Sequence, residues 1–482
     1  HRADPSVSVE VMVTGENVLG CCGDEHLKRC ICDLQQVYAR GVPLSISTPL
    51  VAVRESIARS VPTERLDPKA STLFLPSWAS HLAEASTEAS SQFSAPVSEH
   101  DEATEQGAAH PQERVSMSSA GVMSVWTANR KACFRVSAVA LPTEVLSWMD
   151  EHAEELESVV HRHRPSVALA GGREVTLEES LAEVSAQFNQ CLTEAGVEAA
   201  ACTGTLCAMS VARGSRAVLL DGTAAAWTLQ EAHRLAGTAA EAGKEPEQAE
   251  APGLVPPWMR PSVLSGFRLA ANAGPLCEEP MRGVAFIIHG CQVVTAEEVN
   301  AGGLPALAAV PEPYGPMSGQ VMVAVKEACR YCLFRRGFSR ICEAMLALEV
   351  QCEQEMLGKV YAVLGKRRAK VLDEGLRDGT SMFYIASHLP LADSFGIAHD
   401  LRGAASGHVS FHCAFSHWEL SEEDPFQEAT LTAEELEELG DQPLPPNTAR
   451  KLVDAIRKRK GLPTDEKVVR DATKQRTVTR MK

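Results

Sequence analysis

Val7, Val9, Val11 and Val13 alternate with other residues, the period-two pattern of a half-buried strand. Thr14-Gly15-Glu16-Asn17 predicts a turn, with the strand resuming at Val18-Leu19. Leu27, Ile31 and Leu34 recur at helical spacing and predict a helix from Asp24, as its cap, to about Tyr38. Short apolar runs at 44–47 and 50–53 predict strands, so residues 1–57 are expected to form a small α+β domain. From 58 to 118 the pattern dissolves, and Ser, Ala, Glu, Thr and Pro dominate between 80 and 113. Such a stretch buries too little apolar surface to offset its ordering entropy and is expected to be a disordered linker. A strand is expected at 132–140 and helices at 143–160 and 181–192. Residues 164–242 point to no particular function, and the Pro/Glu/Ala-rich stretch 243–257 is expected to be a second linker.

From 261 the pattern sharpens. Strands are predicted at 262–271 and 284–289 and an amphipathic helix at 319–334, closing a domain over 119–341. Strand 344–351, helix 355–364, strands 370–375 and 382–389, helix 394–405 and strand 409–418 then follow. That βαββαβ order predicts a ferredoxin-like domain over 342–418. Helices at 431–439 and 447–460 are expected in the remainder, 419–482. Asn447 would cap the second and Gly461 stop it.

Length and charge narrow the possibilities. A chain of 482 residues accommodates about three domains of roughly 100–200 residues. No apolar run of about 18 residues occurs, so no membrane span is expected. The net charge of −17 argues against general nucleic-acid binding. The charge is uneven, though: from Arg450 to Lys482 there are twelve Lys and Arg against four Asp and Glu, the mark of a local basic docking surface. The fifteen cysteines do not form a convincing zinc framework. Cys30 and Cys32 stand as C-x-C, and Cys329 and Cys332 as a lone C-x-x-C inside a helical pattern. They are read as reduced packing cysteines of a cytoplasmic protein, with no metal ligands assigned. His161/His163 and His408/His412 are likewise read as solvated or packed.

Several motifs carry a family resemblance. Ser265-Gly266-Phe267-Arg268, then Gly274-Pro275-Leu276-Cys277-Glu278-Glu279 and Arg282-Gly283-Val284, resemble a domain IV signature of the elongation factor two superfamily. Gly358 to Leu364 with Lys366-Arg367-Arg368, and Leu389-Pro390-Leu391-Ala392-Asp393, resemble domain V. Ala3-Asp4-Pro5 and Gly23-Asp24-Glu25-His26-Leu27 resemble domain III. Within the superfamily, Tyr314-Gly315-Pro316-Met317-Ser318-Gly319-Gln320 before Lys326-Glu327-Ala328-Cys329 is similar to the GTPases of large-ribosomal-subunit maturation, as is Lys474-Gln475-Arg476-Thr477. The translocases carry a modified histidine at this tip; residues 296–320 contain no histidine, and His289 lies outside the expected loop.

The resemblance implies an N-terminally truncated domain III-like ferredoxin fold over 1–57, a domain IV like ribosomal protein S5 over 119–341 with a diverged insertion at 164–258, and a domain V. It implies a parent GTPase using GTP and Mg2+, which helps release initiation factor six from the nascent large subunit together with the Shwachman-Bodian-Diamond protein. No G-x-x-x-x-G-K-[ST] or N-K-x-D run occurs here, so neither catalytic nor cofactor-binding residues are assigned to this chain. The implied ribosomal contacts, near the sarcin–ricin RNA, are Lys366, Arg367, Arg368 and Lys370, with Arg457, Lys458, Arg459 and Lys460 as a second set. Tyr314, Gly315, Pro316, Ser318 and Gln320 would form the domain IV tip. Two alternatives stand beside this reading: a divergent translocase, and a ribosome-binding module without a GTPase.

Overall fold

The computed structural model describes residues 4–11, 17–21, 23–46, 51–59, 114–118, 121–161, 166–168, 174–211, 214–223, 227–237, 253–293, 316–334, 337–377, 379, 381–426 and 447–464. The helix expected at 431–439 and the Lys474–Thr477 motif lie outside the described residues. Two compact units emerge. One comprises His1–Val53 and Glu343–Glu419, the other Arg54–Cys342 and Leu420–Lys482.

In the first 53 residues, β1 (Ser8–Val11) pairs antiparallel with β2 (Asn17–Gly20), Val9 opposite Leu19. Val9 and Val11 are exposed, contrary to the burial their alternation predicts. Helix α1 (Asp24–Asp33) runs into a π-turn, Leu34–Tyr38. Its cap residue is Gly23, with Asp24 the first helical residue, so the helix starts one position earlier than expected. No strand forms at 44–46. The strand expected at 50–53 instead begins where that reading ends, as β3 (Val53–Ile57), because Val53, Glu55, Ser56 and Ile57 are buried.

The second unit is built on a six-stranded sheet ordered β4-β5-β6-β11-β10-β9. The strands are β4 (Val115–Met117), β5 (Met123–Trp126), β6 (Ala132–Ala140), β9 (Thr205–Ser210), β10 (Arg216–Asp221) and β11 (Arg282–Val293). A separate two-stranded ribbon joins β7 (Ser166–Ala168) to β8 (Glu174–Thr176). β4 places residues 115–117 inside the folded sheet, although they were expected in the linker. All sheet pairs are antiparallel except β10 with β11.

The stretch 164–258, expected to be an insertion, supplies β9 and β10 to this sheet, together with α4 (Leu177–Ala195) and α5 (Leu229–Gly237). Every residue of β10 is buried, and its centre, Ala217 to Leu220, is an unbroken apolar run between Arg216 and Asp221 with no alternation to read. The single helix expected at 143–160 is two, α2 (Thr143–Glu151) and α3 (Ala153–His161), with His152 leaving the helical conformation between them. On one face of the sheet, Ala285 and Ile287 of β11 join Val145, Met149, Leu181 and Phe188 in a core.

The other face carries α6 (Arg260–Asn272) and α7 (Met317–Tyr331), with Phe286 edge-on to Phe267. The strand predicted at 262–271 is therefore a helix. Val263, Leu264, Phe267, Ala270 and Ala271 are buried at spacings of one, three and four, which is one helical face, and Pro261 sits in its first turn. Gly266 lets α6 and α7 touch: a Cβ there would stand 2.6 Å from the Met322 carbonyl oxygen.

The C-terminal sheet is ordered β13-β14-β12-β15, from β12 (Ser339–Glu353), β13 (Lys370–Leu376), β14 (Met382–Pro390) and β15 (Val409–Leu420). With α8 (Leu357–Lys366) and α9 (Ile397–Ala404) this is the expected βαββαβ fold. Leu348, Val350, Val360, Leu364, Ile385, Leu389, Ile397 and Leu401 fill its core. Finally α10 (Thr448–Lys460) starts as predicted: Asn447 accepts the Arg450 N–H at 2.7 Å, and Gly461 closes it at φ 67°.

Candidate nucleic-acid interface

The first basic set follows from the pattern of α8. Val360 and Leu364 point into the core, which turns Lys359 and Lys366 outward. Lys366 and Arg367 line an open cleft of about 390 Å3 with Val363, His399, Asp400, Gly403 and Ala404. Among the described residues Lys366 makes no ion pair, and it is the best placed of the four expected contacts to meet a phosphate.

Its neighbours are engaged within their own domain. Arg367 donates to the Phe395 carbonyl at 2.8 Å, to the Asp393 carbonyl, and to Asp400 at 2.5 Å. That last bond chiefly holds the Asp400 carboxyl below its ordinary range. Arg368 bridges Asp393 at 2.6 Å and Glu343 at 3.1 Å, while Lys370 pairs with Glu419 at 2.5 Å. Arg367 and Arg368 thus tie the end of α8 to the entry of α9.

The second set differs in exposure from residue to residue. Lys458 and Arg459 are exposed, but Arg457 is 3 % exposed and donates to the carbonyls of Leu276 and of Pro463, the latter at 2.8 Å. Lys460 donates to the carbonyls of Cys277 at 2.8 Å and Glu278 at 3.0 Å and pairs with Glu279 at 2.7 Å. Arg457 and Lys460 fasten α10 to the turn that carries the family signature.

That turn is organised around a residue the sequence reading did not single out. The Glu55 carboxylate is wholly buried and accepts the backbone N–H groups of Leu276 at 2.6 Å, Cys277 at 2.8 Å and Glu279 at 3.0 Å. Burial pushes its carboxyl up, and the three N–H donors oppose that shift. A Cβ on Gly274 would lie 2.3 Å from Glu55 Oε2, so the turn needs glycine there. Glu278 takes φ 55°, and Arg330 donates to the Gly274 carbonyl at 3.2 Å. Pro275 sits inside the same turn. After it, Arg282 grips Asp150 through two bonds of 3.0 and 2.5 Å, and Arg216 shares the same carboxylate at 2.9 Å. Gly283 follows at φ 73°. The signature residues are therefore a structural hub. Glu55 and Asp150 escaped notice because their partners lie 222 and 132 residues away in sequence.

Of the expected tip, Tyr314 and Gly315 lie outside the described residues. Pro316 caps α7, and Ser318 is half-buried in its first turn. Gln320 is buried, and its Oε1 accepts the Asn129 N–H at 3.0 Å, which fixes α7 to the β5–β6 turn. His289 lies in β11 with its Nε2 2.8 Å from Ser137 Oγ. Cys329 and Cys332 are buried in and just after α7, and burial raises both thiols. No described helix is long and apolar enough to cross a membrane.

Residues 340–429 match the family model of the elongation factor G C-terminus. Elongation factor-like GTPase 1 of Homo sapiens is 30% identical over 525 aligned residues, covering 100% of this chain and 43% of the relative. Ribosome assembly protein 1 of Saccharomyces cerevisiae is 26% identical over 99% of this chain and 36% of its own length, and that of Schizosaccharomyces pombe 27% over 99% and 41%. The chain spans less than half the length of these relatives.

Proposed function

We propose that this chain, similar to elongation factor-like GTPase 1 and ribosome assembly protein 1 and matching the elongation factor G C-terminus over 340–429, is the ribosome-contacting part of a GTPase of the elongation factor G and elongation factor two superfamily that matures the large ribosomal subunit. The observation that carries this reading is the 30% identity running through the whole chain, including both units. In the parent protein, GTP and Mg2+ bound elsewhere would supply the hydrolysis that drives release of initiation factor six. The Shwachman-Bodian-Diamond protein would act in the same step.

The chain's own contribution is contact with the large subunit. The outer face of α8 carries the exposed Lys359 and Lys366, and Lys366 lies at a cleft that also holds His399. Lys458 and Arg459 offer a second exposed pair. Phosphate contacts of this kind lower affinity with salt by a log–log slope of roughly 0.7–0.9 per contact.

The experiment is co-sedimentation of the chain with purified large subunits at several salt concentrations, followed by release of initiation factor six from those subunits by the full-length protein with GTP. Salt-sensitive binding and GTP-dependent release support the reading. Binding to empty large subunits without any release would favour a ribosome-binding module instead. ADP-ribosylation by diphtheria toxin would favour a translocase, which the absence of histidine from 296–320 argues against.

A further inference from the structure

Cys21 follows the end of β2, His26 lies in the first turn of α1, and Cys30 sits one turn further along. Each brings a ligand atom to a common point, and these atoms lie within 4.8 Å of one another. His26 and Cys30 are four residues apart, so they share one helix face, and Cys21 closes the group from the preceding loop. All three are half-buried.

A second observation concerns the imidazole. Its Nε2 lies 2.8 Å from Asp4 Oδ2. Asp4 is itself oriented, because its other oxygen accepts the Ser6 N–H at 2.9 Å and the Ser6 hydroxyl at 2.5 Å. A carboxylate on one ring nitrogen fixes the tautomer and presents the other nitrogen as a lone pair. This is the recurrent outer arrangement of a metal-ligating histidine.

We propose that Cys21 Sγ, Cys30 Sγ and His26 Nδ1 bind a zinc ion, with Asp4 as a positioning residue outside the ligand set. Zinc takes thiolate at about 2.3 Å and imidazole at about 2.0–2.1 Å, which puts tetrahedral ligand atoms about 3.3–3.8 Å apart. Atoms already within 4.8 Å reach that spacing by small side-chain rotations. Two thiolates and an imidazole favour zinc over magnesium or calcium, which want oxygen. The fourth position would be filled by water. Each thiol gives up its proton on binding. The site would pin the start of α1 to the end of β2 and to the Asp4 segment, where the apolar faces of Val9 and Val11 contribute little.

The test uses the full 482-residue chain, purified reduced and without chelator. Zinc content is measured by mass spectrometry, affinity by competition with a chromophoric chelator, and ligand type by the absorption of the cobalt-substituted protein. One zinc per chain is expected, with thiolate-to-cobalt charge-transfer bands and tetrahedral d–d bands. Cys21→Ser and Cys30→Ser should lose both the tight binding and those bands. Cys32→Ser should keep them, and Asp4→Asn should weaken affinity by about 10–100-fold. Circular dichroism of each variant separates lost ligation from lost fold, and the wild-type stoichiometry stands whatever the variants do. The proposal is overturned if the wild type binds no zinc tighter than micromolar. It is equally overturned if Cys32→Ser loses as much as Cys30→Ser, or if a Cys21–Cys30 disulfide forms in preference when zinc is present.

Discussion

Glu55 Oε1 accepts the backbone N–H of Cys277 at 2.8 Å across 222 residues of sequence, and the same carboxylate serves Leu276 and Glu279. Removing it leaves three buried donors without an acceptor, at about 1–3 kcal/mol for each that stays dry. Glu55→Ala is therefore expected to destabilise the fold by about 4 kcal/mol, and Glu55→Gln, which keeps one oxygen, by less. Urea denaturation midpoints at constant slope would measure both. A loss under about 1 kcal/mol for Glu55→Ala would mean that water replaces the carboxylate.

Gly274 faces that carboxylate too closely for any side chain. Gly274→Ala should cost about 2–3 kcal/mol through overpacking. The penalty should shrink in a Glu55→Ala background, because the atom it meets is gone. A double-mutant cycle would detect this coupling, and strict additivity would contradict the geometry.

Asp150 sets a pH dependence. Burial alone would raise its carboxyl, but the bonds and charges of Arg282 and Arg216 outweigh it and hold the group below its ordinary value of 3.8. The folded state thus binds this proton less readily than the unfolded one. The stabilisation is present above that ordinary value and is lost as pH falls through the lower folded value. Asp150→Asn should destabilise at neutral pH by about 2 kcal/mol, a figure reduced because the carboxylate keeps one side in water. It should also flatten the acid limb of the stability curve, which thermal melts across acidic pH would follow.

The basic residues of the ferredoxin-like domain should separate by role. Lys366→Glu is expected to weaken large-subunit binding and reduce its salt slope by about 0.7–0.9, with the melting temperature unchanged. Arg367→Glu should instead lower stability by about 2 kcal/mol, because it sets a carboxylate against Asp400 and abandons two carbonyls. Salt-dependent sedimentation of both variants, beside their melts, would expose a wrong assignment of either.

The legibility of the fold varied with the physics of each segment. The βαββαβ domain was readable because strands and amphipathic helices follow one another in the expected order, although β12 runs to 15 residues where a strand over 344–351 was expected. Asn447 and Gly461 marked α10 to the residue because capping is local chemistry. Helix α6 was misread as a strand: Ser-Val-Leu-Ser-Gly-Phe-Arg-Leu offers both periods, and only packing on α7 around Gly266 decides between them. Strand β10 was invisible because burial on both sides erases alternation. The interface candidates were named by the family resemblance and by charge. Charge does not reveal that Arg367, Arg368, Arg457 and Lys460 already have acceptors at home.

The turn at Gly274–Glu279 also imposes an order on biosynthesis. Three of its amides are satisfied by a residue made early, Glu55, whereas the carbonyls of Leu276 and Cys277 wait for Arg457 and Lys460, made 181 and 183 residues after their partners. A chain emerging N-terminus first can seat β3 against the turn while α10 is still unsynthesised. The last clasp closes only once α10 has been made. At synthesis rates of about 5–20 residues per second, that half-finished state persists for roughly ten seconds or longer. For that interval the carbonyls of Leu276 and Cys277 have water as their partner, and the hub is held from the β3 side alone.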